Sequence, residues 1–354
     1  MKRKVLLILL SILVLGGCTA KTAEVAQDNQ IENDKITVVA TLFPQYDFTR
    51  AIGGEYVDVK LLLPPGVEAH SFEPTPKDIV DIGNADLLLY TGESMEPWVA
   101  DIAATIEGDK LDVVDLSEGI TLLKSSDEHD ADEHDADEHD ADEHDADEHD
   151  ADEHDADEHD ADEHDVDEHD EEEHDHGEYD PHFWLDPTNA IIMATHIKDE
   201  LIRVDPDHAE TYEANAVAYI ESLKELDDDL KAFFDVTPQK TIIYGGHFAF
   251  AYFAERYGLD YISPYNGFSP DAEPTPQRIA SLIDAIEATH TKAIYYEELI
   301  SPKVAEVISE ETGAKMLLLH GAHNVTKEEL DAGVTYISIM YDNLERLKVG
   351  LANE

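Results

Sequence analysis

From Asp127 to His176 the chain repeats Asp-Glu-His-Asp-Ala almost without interruption, and this stretch limits what the rest can fold into. Residues 125–179 carry 32 acidic side chains and no Lys or Arg. Histidines five residues apart turn through about 140° past a full helical turn at each step, and on a strand they switch faces. No apolar face results, and dense like charge has nothing to bury, so the segment is predicted to be a disordered insertion. Any core must come from the flanking sequence. The histidines are His129, His134, His139, His144, His149, His154, His159, His164, His169, His174 and His176. An acidic solvating tract with incidental histidine is one reading of them. Secondary metal chelation is the stronger, because imidazole beside carboxylate suits divalent transition metals and a bound ion relieves the self-repulsion. Such sites are expected to be weak, multiple and exchangeable, since binding has to order the loop.

Outside the repeat, the length of 354 residues, 42% hydrophobic, is enough for two cores. The formal charge of -60 is reduced by the 32 acids of the insertion to -28 for the remainder, so both parts are acidic. That surface excludes nucleic acid and disfavours anionic lipid, while concentrating cations. The N-terminus carries Lys2, Arg3 and Lys4, an apolar run over 5–15, and then Gly16-Gly17-Cys18. The run is shorter than the roughly 20 residues that cross a bilayer, which predicts a signal peptide over 1–17. Leu15-Gly16-Gly17-Cys18 resembles a bacterial lipobox, so Cys18 is the expected lipidation site and membrane anchor. An ordinary secretory signal is the alternative. As the only cysteine, Cys18 has no disulfide partner within the chain. Residues 18–35 have no apolar period and are predicted to be a flexible tether.

From Ile36 onward, short β-branched and aliphatic runs alternate with helical periods. Strands are predicted over 36–40, 57–63, 86–90 and 111–114, with helices over 43–53, 76–83 and 98–106 between them. Alternation of this kind implies an α/β fold with a parallel sheet covered by helices. After the insertion come helices over 188–204 and 208–234; the second, with an apolar stripe running from Tyr212 to Phe233, is long enough to serve as a rigid strut. A second alternating set follows, with strands over 241–244, 259–262, 293–296 and 315–319. Its helices are predicted over 248–257 and 277–288, with one terminal helix over 328–349. The implied division is an N-terminal lobe over 36–205 containing the 125–179 insertion, a linking helix over 206–235, and a C-terminal lobe over 236–354.

His70, His182, His247 and His323 lie where such folds place their ligands, beyond strand ends or in pinned loops. His182 sits in Asp180-Pro181-His182-Phe183-Trp184-Leu185-Asp186-Pro187, held between two Asp-Pro pairs that fix the backbone on either side. By itself it also reads as a turn with an aromatic plug. His70 follows a stiff Pro64-Pro65-Gly66 and, taken alone, reads as an exposed loop residue. His247 follows Gly245-Gly246, where a histidine capping its helix competes with a ligand. His320 and His323 flank Gly321-Ala322. Glu297 and Glu298 end a strand as supporting carboxylates or as a helix-start pair. His196 is expected to face solvent or to be satisfied within its helix, and His208 is unassigned.

These motifs in combination resemble the solute-binding lipoproteins of bacterial ABC importers for zinc and manganese, in particular the ZnuA-like zinc branch. The stretches that match are 64–74, His182 to Pro187, and His247-Phe248-Ala249-Phe250-Ala251-Tyr252-Phe253. The resemblance implies His70, His182 and His247 as metal ligands in a cleft between two α/β lobes, each with a parallel four-stranded sheet, joined by one long helix. It implies Zn2+ as cargo, an ABC-transporter permease as partner, a monomer anchored outside the cytoplasm, and no enzymatic activity. Where many relatives carry a carboxylate as fourth ligand, this chain has His323, with His320 or water as alternatives. All-imidazole ligation favours zinc over manganese, and affinity is expected to fall as pH drops through about 6.5, because metal needs neutral imidazole. Other expectations are a different transition metal, a zinc hydrolase using Glu297 or Glu298 as base, or a surface metal buffer or adhesin.

Overall fold

β1 (Ile36–Ala40) is apolar except for Thr37 and buries its last three residues, as a strand covered on both faces must. In the computed structural model, which describes residues 35–106, 110–124, 179–265 and 274–352, β1 is an inner strand of a parallel sheet. The sheet order is β2 (Val57–Leu61), β1, β3 (Leu87–Tyr90), β4 (Asp112–Asp115). Helices α1 (Phe43–Gly53), α2 (Pro76–Asn84) and α3 (Trp98–Thr105) form the crossovers. Thr75 starts α2 through a capping box with Asp78, and Pro76 occupies the first helical position, where its missing N–H costs nothing.

The pinned loop leads into α4 (Pro187–Val204), whose first turn is capped by Asp186 accepting from the Thr188 N–H, with Pro187 at the start. After a 3-10 turn at Pro206–His208, α5 (Ala209–Val236) runs for 28 residues, about 42 Å. It packs against α1 and α4 in its first part. Further on it meets α6 (Ala251–Tyr257) and α10 (Tyr336–Gly350), so one helix touches elements from both ends of the chain. Its stripe is close to the expected one, except that Phe234 is buried and Phe233 only partly so. Asp227 on α5 is gripped by Arg256 of α6 through both guanidinium contacts, at 2.7 and 2.6 Å, and Arg256 also lies 3.2 Å from Asp186.

The second set of strands repeats the first. β5 (Thr241–Ile243) pairs with β6 (Asp260–Ile262), and β7 (Ala293–Tyr296) pairs with β8 (Lys315–Leu318), all parallel. A single parallel bridge, Tyr244 to Tyr295, joins the two ladders in the order β6-β5-β7-β8, the counterpart of β2-β1-β3-β4. The join is narrow because β5 has only three residues before Gly245-Gly246 turns the chain away. α7 (Pro276–Thr289) and α8 (Lys303–Thr312) pack together beside these strands. Sequence periodicity does not reveal α8, whose buried positions are only Ala305 and Ile308.

Two helices differ from expectation. α6 starts at Ala251, so His247 lies in an open turn ahead of it rather than at its start. The terminal helix is two helices, α9 (Lys327–Ala332) and α10, broken by Gly333 at φ 76° and restarted by a Thr335–Ser338 capping box. Tyr179, taken above as the end of the insertion, instead pairs antiparallel with Lys124, so the two strand ends flanking the repeat are held together. Residues 1–34 and 125–178, with the signal segment, Cys18, the tether and the eleven repeat histidines, lie outside the described residues. Among the described residues no helix is long and apolar enough to cross a membrane.

Asp47 of α1 anchors the start of α10, its Oδ2 accepting from the Tyr336 N–H at 2.9 Å and the Tyr219 hydroxyl at 3.3 Å. Burial raises its pKa from 3.8 to about 6, against those two donors. The folded chain therefore holds this proton more tightly than the unfolded chain, and stability falls as pH rises from about 4 to about 6. Asp47→Asn keeps an acceptor without the charge. It is expected to be more stable than the parent at pH 8 by about 2–3 kcal/mol and equal to it near pH 4, measured by urea unfolding across that range.

Candidate metal centre

Three histidines from separate loops converge. His70 follows β2, His182 precedes α4, and His247 follows β5; one ring nitrogen of each lies within 4.8 Å of the others. Ring centroids are 5.0 Å apart for His70–His182, 5.3 Å for His70–His247 and 5.6 Å for His182–His247. His70 Nε2 lies 3.1 Å from His182 Nε2. Zinc–nitrogen bonds of about 2.0–2.1 Å in a tetrahedron place ligand nitrogens about 3.3–3.4 Å apart, so this pair is already close to that spacing.

Carboxylates hold two of the loops from behind. Asp180 Oδ1 accepts from both the His182 backbone N–H and Nδ1, each at 2.8 Å, leaving Nε2 for the centre. Asp180 is itself fixed, its N–H donating to Leu123 and its carbonyl accepting from the Tyr252 hydroxyl. Glu68 does the same for the His70 loop, taking the backbone N–H groups of His70 and Ser71 at 3.0 and 2.9 Å. In both loops the acid stands two residues before the histidine, a spacing visible in the sequence but not given a role there. The His70 loop is also clasped from the far end of the chain: Asn324 Nδ2 donates to the Pro64 and Val67 carbonyls, and Gly66 N–H to Val325. Gly66 has φ 83°, a conformation that favours glycine.

His247 Nδ1 lies 2.5 Å from Glu297 Oε2, and neither ring nitrogen makes a hydrogen bond of ordinary geometry. Gly246 is what lets the carboxylate approach, since a Cβ there would stand 2.4 Å from Glu297 Oε1. Glu298 Oε1 lies 3.3 Å from both His320 Nδ1 and His323 Nδ1. The two histidines differ in their remaining contacts. His320 Nδ1 accepts the Ala322 N–H at 2.9 Å, so its proton is on Nε2 and neither nitrogen offers a lone pair to an ion. Asn343 further locks the His320 backbone in both directions. His323 is buried with no such bond on Nδ1, but no ring nitrogen of it lies within 4.8 Å of all three grouped nitrogens.

The electrostatics divide the rings. Burial lowers His70 to about 3 and His182 well below the usual value, each reinforced by neighbouring imidazoles, so both are neutral across the physiological range. Burial also lowers His247, but the Glu297 contact outweighs it and the net direction is upward. A common titration near 6.5, expected from the histidines as a class, does not describe these three. Burial pushes Asp180 up to about 8, while His320, His323 and the Gly321 N–H hold Glu298 below its usual range despite its burial. Of the unassigned histidines, His208 is paired with Asp205 at 2.6 Å and stacked on Tyr56; His196 lies part-buried on α4.

Residues 38–350 match the family model for ZnuA, the zinc-uptake complex component A, periplasmic. The chain belongs to the ZnuA family. Among its ZnuA-like relatives, the zinc-binding protein AdcA of Streptococcus pyogenes serotype M18 is 37% identical over 349 residues, 99% of this chain but 62% of that protein. The chain thus spans less than two thirds of AdcA. The high-affinity zinc uptake system protein ZnuA of Bacillus subtilis strain 168 is 36% identical over 339 residues, covering 96% of this chain and 94% of that one. The crystal structure of the Zn(II)-bound ZnuA-like domain of Streptococcus pneumoniae AdcA superposes with a TM-score of 0.68 at 31% identity, covering 90% of this chain and all of that domain.

Proposed function

We propose that this chain is an extracytoplasmic zinc receptor that captures Zn2+ between two lobes, 36–205 and 236–354, and delivers it to an ABC permease. The observation that carries the reading is the convergence of one nitrogen each of His70, His182 and His247 within 4.8 Å of one another, with the His70–His182 pair 3.1 Å apart, close to the spacing of a tetrahedral zinc site. His323 is the fourth ligand in this reading: it is buried with no hydrogen bond on Nδ1, whereas Nδ1 of His320 is engaged by the Ala322 N–H. Four imidazole ligands favour zinc over manganese, which prefers carboxylate and water. The hydrolase alternative loses its general base, because Glu297 and Glu298 are buried against imidazoles. Lipid on Cys18 anchors a monomer, and the repeat histidines supply weak exchangeable sites.

Zinc and manganese titrations of the chain and of a deletion of 125–178 test this. Lys124 and Tyr179 pair antiparallel, so a two-residue Asn-Gly turn in place of the deleted residues closes the gap. The expected result is one tight zinc site in both proteins, manganese far weaker, and His323→Ala weakened in both. A deletion that binds no zinc tightly makes the repeat the functional part. Zinc binding unchanged in His323→Ala puts the fourth ligand elsewhere.

A further inference from the structure

The adjacent carboxylates Glu297 and Glu298 leave the end of β7 in different directions, one to a ring that follows β5 and the other to a ring that follows β8. Both are buried, at 8% and 7% exposure, in a region that costs a bare carboxylate heavily unless it is paired. Space has been cleared for each. Gly246 makes room for Glu297, and a Cβ on Gly321 would stand 3.3 Å from Glu298 Oε1 and 3.0 Å from His323 Nδ1. The backbone also accepts strain beside them: Leu299 has φ 63° and Ala322 φ 57°, conformations rare for residues with a side chain. Glu298 is held further by the Gly321 N–H at 2.8 Å and by a turn that brings the Ile300 N–H onto its carbonyl.

We propose that Glu297 and Glu298 are a pair of positioning residues that fix His247 and His323 as Nδ1–H tautomers, turning Nε2 of each ring toward the metal. This rests on the zinc-receptor reading. His320 cannot compete for Glu298 as a donor, because its Nδ1 is already an acceptor for the Ala322 N–H. None of Glu298 Oε1, His323 Nδ1, Glu297 Oε2 and His247 Nδ1 makes a hydrogen bond to any group, so the two atoms of each close pair are available to each other. With Asp180 behind His182, each of the three rings then has its own carboxylate, and β7 alone supplies two of them. An outer carboxylate orients the imidazole and raises its basicity, and losing one typically costs about 10–100-fold in metal affinity.

The test is chelator-competition titration of the full chain with zinc, for wild type, Glu297→Gln and Glu298→Gln. Each glutamine variant is expected to bind about 10–100-fold more weakly at one tight site, with the visible bands of bound cobalt(II) unmoved and the metal-free melting curve retained. Affinities within twofold of wild type overturn the proposal. So does loss of the tetrahedral cobalt bands in Glu298→Gln, which makes Glu298 a ligand in its own right. Nitrogen-15 spectra of zinc-loaded wild type decide the matter even where a variant does not fold: Nδ1–H at both rings is expected, and Nε2–H at either defeats it. A wild type without a tight zinc site defeats the receptor reading itself, whereas a tight wild type with unaffected variants defeats only the positioning role.

Discussion

His182→Ala is expected to weaken zinc binding by at least about 100-fold. Structural zinc sites release about 10–16 kcal/mol on binding, which spread over four ligands is about 3–4 kcal/mol each. His182 is the most enclosed of the three grouped rings, fully buried and held by two contacts to one Asp180 oxygen, so no neighbouring side chain can swing in to replace it. Its removal also leaves Asp180 Oδ1 with only the backbone N–H of residue 182. The measurement is zinc titration in competition with a chelator of known affinity, with His196→Ala as the control expected to match wild type, since His196 sits part-buried on α4 away from the grouped nitrogens. If His182→Ala binds at the tight site as wild type does, the centre is not the zinc site.

Trp184→Ala is expected to destabilise the fold by about 3–5 kcal/mol, read as a lower urea midpoint with the slope unchanged. The indole is fully buried beside His182, with ring centroids 5.4 Å apart. Its Nε1 donates to the Gly321 carbonyl at 2.8 Å, and its own carbonyl accepts the Tyr336 hydroxyl at 2.5 Å. Alanine therefore leaves both a cavity and a buried carbonyl without its donor, two separate costs. Because Gly321 lies in the His323 loop, zinc affinity should fall as well. Trp184→Phe fills most of the space without the donor, and is expected to recover stability better than affinity.

Much of this was legible in the sequence because it depends on local rules. Asp186-Pro187 had to start a helix, Pro206 had to stop one, and the long apolar stripe after His208 could only be a helix buried along one side. Where the expectation missed, a local signal was overruled or too small. Gly333 breaks a stripe that reads as continuous, and α8 buries too few residues to show a period. The acid two places before His70 and His182 was visible, but hydrogen bonding to the histidine's own N–H is a matter of turn geometry that spacing alone does not announce.

The sequence alone determined the alternation of strands and helices and which histidines stand in stiff loops beyond strand ends, since each follows from period and proline placement. Only the tertiary structure decided which histidines meet and which nitrogen each presents. His320 and His323 are chemically identical and three residues apart. What separates them is one backbone N–H, from Ala322, on one ring nitrogen, a contact created by the folding of the turn rather than by the identity of any residue.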